Sequence, residues 1–106
     1  MEVPMTIGEE IAADHAAEAA DTLRIAADVG DPYLRGDAIW EAVERLRRAV
    51  LHLGHCRDQR TGFFADLVEK LEEGCDGSAE PPAGPALSAL AHEVDHQLRT
   101  FTGLCA

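Results

Sequence analysis

Aromatic residues are scarce in this chain: one Trp, one Tyr and three Phe among 106 residues. A core must therefore be assembled from aliphatic side chains. Alanine supplies many of them, which favours helices and lets their axes approach closely. Basic residues are also few, nine against twenty acidic ones, for a net charge of −11. A phosphate backbone attracts the opposite sign, so nucleic-acid binding is not expected. Anionic membrane surfaces are disfavoured for the same reason. Long apolar runs are missing, and Met1 to Gly8 lacks the apolar centre of a signal sequence. The cysteines, Cys56, Cys75 and Cys105, are odd in number and have no framework spacing. They read as reduced thiols, which places the protein in the cytoplasm. There is no period-two alternation, no internal repeat and no glycine loop of the phosphate-binding kind.

What is present is helical patterning over a length that suits a single domain, residues 1–106. A chain of this size buries roughly two thirds of its unfolded surface, enough for one core without staples. Thr6-Ile7-Gly8-Glu9 is a capping box that starts a first helix. Ile7, Ile11, His15, Ala19, Thr22, Ala26 and Val29 recur every three or four residues and define one helical face. Gly30 stops this helix, and Asp31-Pro32 supplies an N-cap and a first-turn proline for the next, with Asp37 a second candidate cap.

Ile39, Val43, Leu46, Val50 and Leu53 follow at spacings of four, three, four and three, a bundle seam. Phe63, Phe64, Leu67, Val68 and Leu71 extend the helical pattern to Glu73. The segment from Trp40 to Glu73 is either one helix or two separated near residues 54–62, because Gly54 and Gly62 weaken it there. Residues 74–84, with internal glycines and paired prolines, form a linker. The last helix spans Pro85 to Thr102, with Leu87, Leu90, Val94, Leu98 and Phe101 on one face. The expected fold is an all-α up-and-down bundle of three long helices, or four if the middle one breaks. With three, one side of the bundle stays open, and a homodimer is expected to cover it.

Charge is unevenly spread. Eight acidic residues precede Pro32 against Arg24 alone, whereas six of the nine basic residues lie between Arg35 and Arg60. These stretches are expected to form neighbouring helices of complementary charge. The remaining acidity suits cations or a basic protein partner.

Five histidines carry the chemistry that the sequence offers: His15, His52, His55, His92 and His96. His92-Glu93-Val94-Asp95-His96 matches the H-E-x-x-H string, in which histidines four apart share a helix face and bind Zn²⁺. A zinc peptidase also needs a third ligand and a substrate cleft, and neither is apparent, so no enzymatic activity is expected. Glu69, Glu72 and Glu73 read as a solvated run at a helix end, and Cys56 beside His55 lacks the third member of a triad.

Taken together, the order of elements resembles a hemerythrin-like domain, the cation-binding family with a His-His-Glu signature. Asp14-His15 resembles its first-helix histidine. His55-Cys56-Arg57-Asp58-Gln59 before Phe63-Phe64 resembles its second-helix motif, with Gln59 where the bridging glutamate would sit. His92 and His96 resemble its paired third-helix histidines. The resemblance implies a degenerate form that lacks the last helix and binds iron through His15, His55, His92 and His96. Asp58 and Gln59 are more distant candidates. Oxygen or oxidant sensing would follow, since imidazole and carboxylate ligands leave open positions on iron.

Helical arithmetic puts only His15 on an apolar stripe. At about 100° per residue, His55 falls on the side of Glu44 and Arg48, and His92 and His96 fall opposite Leu87, Val94 and Leu98. That geometry supports the alternative of an acidic, metal-free protein-interaction module.

Overall fold

The computed structural model describes residues 7–55, 59–75 and 82–102. These form four helices and, among the described residues, no strand: α1 (Ile7–Ala27), α2 (Pro32–His55), α3 (Thr61–Cys75) and α4 (Gly84–Thr102). The all-α bundle is thus present, and the middle segment is two helices rather than one.

Local chemistry accounts for the boundaries. α1 starts at Ile7 with Glu9 and Glu10 in its first turn, where carboxylates meet the positive helix end; Thr6, the expected cap, lies outside the described residues. Past Ala27 the chain closes with bonds from Asp28 N–H and Val29 N–H to the carbonyls of Ile25 and Ala26. Asp31 caps α2 as its sequence suggests, its carboxylate accepting from Tyr33 N–H at 2.8 Å and Leu34 N–H at 3.4 Å. Asp37 is not a cap: it is exposed within α2, one turn after that start. Arg35 reaches back to the carbonyl oxygens of Val29 and Gly30, tying the turn between the helices. α3 runs on through Gly74 and Cys75, two residues expected in the linker, and residues 76–81 lie outside the described set.

α1 packs against α2 and α4, and α2 packs against α3. Among the described residues α3 and α4 do not pack against each other. Between them is an opening of about 160 Å³ whose walls are Phe63, Leu67 and Leu90, rimmed by Asp66, Lys70 and Glu93. The core is aliphatic apart from Phe64: Leu23, Ile39, Val43, Leu46, Leu53, Leu71, Leu87 and Val94 are fully buried beside it. The α2 seam is as the spacing requires, with Val50 only half-buried.

The face of α1 differs from the expected one. Its buried residues are Ala12, Ala16, Ala19, Ala20, Leu23 and Ala26, while Ile7 is exposed. Of the expected stripe, Ala19 and Ala26 are buried, Ile11, His15 and Thr22 are only half-buried, Ile7 is exposed and Val29 lies past the end of the helix. Alanines recur all round this helix, so periodicity in larger residues misplaces the axis of burial. Packing selects the face where small side chains let two neighbouring helices come close.

The expected charge complementarity between the first two stretches is seen in two ion pairs. Arg45 pairs with Glu18 at 3.0 Å, and Arg60 pairs with Glu9 at 2.9 Å. Across the other flank Arg24 pairs with Asp95 of α4.

Candidate functional site

The histidines are distributed rather than gathered. His15, on the flank of α1 that meets α2, is half-buried and stacks on His52 of α2, with ring centroids 6.0 Å apart and planes 13° from parallel. His55 is exposed at the end of α2, and His92 and His96 are exposed on α4. α4 packs on the opposite flank of α1 from the one that carries His15. Gln59 is exposed; Asp58, Cys56 and Cys105 lie outside the described residues. Among the described residues, no three His, Cys, Asp or Glu side chains come together in a group able to hold a metal ion. The donor set implied by the hemerythrin-like resemblance is therefore not assembled by these residues.

The partner that His15 does find, His52, is missed by a search for ligand motifs. Its signal is positional. With Arg45 and Arg48 it occupies the flank of α2 that faces α1, one helical turn apart each time. Burial pulls the His15 imidazole below its ordinary pKa, and the charges of Arg45, Arg48 and His52 act in the same direction. Glu18 opposes them. The His15 ring is therefore favoured in its neutral form.

Chemistry elsewhere on the surface concentrates on α2. Beside the histidine pair, a groove of about 650 Å³ runs between α1 and α2, lined among others by Glu18, Thr22, Trp40, Glu44, Arg45 and Arg48. Six large apolar side chains are exposed among the described residues, and four belong to α2: Tyr33 at 79%, Leu34 at 56%, Trp40 at 43% and Leu51 at 58%. Tyr33, Trp40 and Leu51 fall within about 20° of one another around the helix axis. Asp37, Glu44 and Arg47 fill the turns between them, so positions 33, 37, 40, 44, 47 and 51 are spaced four, three, four, three and four. α2 thus carries two heptad-like seams. One is buried against α1 and α3; the other faces solvent.

This outer seam is polar at its centre. The Arg47 guanidinium lies 4.9 Å from the centroid of the Trp40 ring. It also donates to Glu44 at 3.0 Å and to Glu72 of α3 at 2.6 Å. The hydrogen bond to Glu72 is the main cause that raises the Arg47 pKa above the usual arginine value. A cation over the indole face and two carboxylates around the cation fix the direction in which Trp40 points.

No family model matches the chain, and neither does any curated protein or any solved structure. No helix among the described residues is long and apolar enough to cross a membrane.

Proposed function

We propose that this protein is an acidic helical interaction module whose docking surface is the outer seam of α2. The observation that carries the reading is the alignment of Tyr33, Trp40 and Leu51 on one solvent face of the longest helix. Scattered exposed apolar residues are ordinary, but a row of them at heptad spacing on one helix marks a surface that gains by being covered. Among the described residues α4 has no comparable row, and its outer face holds His92, His96 and Arg99.

The charge around the seam suits specificity. Asp37, Glu41 and Glu44 flank the apolar residues, together with Arg47 and Arg48. Charged rims of this kind steer partners and set register more than they add affinity. The groove beside Trp40 widens the surface toward Glu18 and Asp21 of α1, which gives a docked helix room on one side.

Photo-crosslinking in cells tests this. A photoreactive residue in place of Leu51 should give discrete adducts, identified by mass spectrometry. The same residue in place of Ala89, on the outer face of α4, should give none. Adducts from position 89 and not 51 would overturn the reading, as would none from either.

A further inference from the structure

We infer that the occupant of the outer seam of α2 is the same seam of a second copy of this chain, paired antiparallel about a two-fold axis level with Ala42. The inference rests on the reading of that seam as a docking surface and adds the identity and register of what covers it.

An isologous interface sets a patch against itself, so the patch must complement its own inverted copy. In an antiparallel helix pair centred at residue 42, Tyr33 lies level with the partner's Leu51, and Leu51 with the partner's Tyr33. Both ends of the contact are then apolar on apolar. Asp37 lies level with the partner's Arg47, opposite charges facing each other at two symmetric points. Trp40 lies level with the partner's Glu44, so the indole N–H can donate to a carboxylate. Every position of the seam meets a chemically matched one.

The parallel arrangement fails the same comparison. It would set Asp37, Glu44 and Arg47 each against its own copy, and like charges directly opposed are destabilising. Direction is thus encoded in the order of charges along the seam.

Two further features favour a second copy over a foreign partner. The chain carries a net charge of −11, yet the outer seam with Asp37, Glu44 and Arg47, together with Glu41 and Arg48 on its α1-facing rim, is close to neutral. Two strongly acidic molecules repel least through such a face. Asp37 also has no ion-pair partner among the described residues, so its charge is available to the partner's Arg47. The contact runs from Tyr33 to Leu51, about 27 Å of helix at 1.5 Å per residue. One helix pair of that length is small beside standard interfaces, so the dimer is expected to be weak and concentration-dependent.

Sedimentation equilibrium over a wide concentration range, with Leu51→Glu as control, tests association. The wild type should shift from monomer to dimer, and Leu51→Glu should stay monomeric with an unchanged helical circular dichroism spectrum. Register is tested with Cys56, Cys75 and Cys105 replaced by serine. Tyr33→Cys mixed with Leu51→Cys should oxidise to a disulfide-linked heterodimer, and neither should link to itself. A monomer at every concentration overturns the inference, as does self-linking of Tyr33→Cys. A monomer that still gives adducts to another protein from position 51 would overturn the second copy alone and leave the docking surface standing.

Discussion

The imidazole of His15 lies flat against that of His52, 6.0 Å between centroids and 13° from parallel, bridging α1 and α2. The stack sits beside Arg45 and Arg48, so any proton added there enters a field that is already positive. Burial and these charges together disfavour the protonated form of His15.

The consequence for stability follows from the direction of the His15 shift. Its pKa in the folded chain is below the ordinary 6.5, so the unfolded chain binds the proton more readily. The contribution of neutral His15 is fully present above 6.5 and is lost as the pH falls below that value toward the folded pKa. Thermal melts between about pH 8 and pH 5 should show a falling melting temperature on the acid side. His15→Gln should flatten that fall. An equally steep fall in the variant would remove His15 from the account.

Two glycines predict effects of opposite sign. Gly54 lies within α2 with open space where a Cβ would be. Gly54→Ala should stabilise the protein by about 0.5–1 kcal/mol, since glycine is the costlier residue inside a helix. At Gly84 an added Cβ would meet the backbone carbonyl oxygen of Ala27 at 2.6 Å. Gly84→Ala should therefore destabilise, by forcing α4 away from the end of α1. Urea unfolding of both variants checks the pair, and a stabilised Gly84→Ala would contradict the close approach of those ends.

Core substitutions should follow the buried face of α1 rather than its larger residues. Phe64→Ala should cost about 3–5 kcal/mol, through lost transfer and the cavity left behind. Ala16→Leu should cost about 1–3 kcal/mol, because no room exists for added methylenes between close helices. Ile7→Ala, at an exposed position, should change stability by no more than about 0.5 kcal/mol. Chemical denaturation of the three variants gives the ranking, and a costly Ile7→Ala would restore the stripe read from periodicity.

Legibility in the sequence tracked how much each feature depends on its neighbours in the chain. The α2 core seam from Ile39 to Leu53, the cap at Asp31 and the outward faces of His55, His92 and His96 all follow from local spacing and capping chemistry. The break between α2 and α3 is visible only as a choice, since Gly54 itself stays helical and α2 ends one residue later at His55. The face of α1 is legible only in part, at Ala19 and Ala26, because alanine fits any flank and the neighbouring helices decide which is buried. The role of His52 is hidden for the same reason: its meaning lies in the ring it meets on another helix. The outer seam was written plainly at 33, 40 and 51, but Ile39, Val43 and Leu46 give the stronger period and hide it.

The central claim is that α2 has a second seam built to be covered. Trp40 is the only tryptophan of the chain and sits at the middle of that seam, so its fluorescence reports directly on it. Acrylamide quenching should be measured on the purified protein from high dilution to high concentration, with Leu51→Glu alongside. The account predicts ready quenching when dilute and progressive protection, with a blue-shifted emission, as concentration rises, and no such change in Leu51→Glu. Equal quenching of the wild type at every concentration would contradict it.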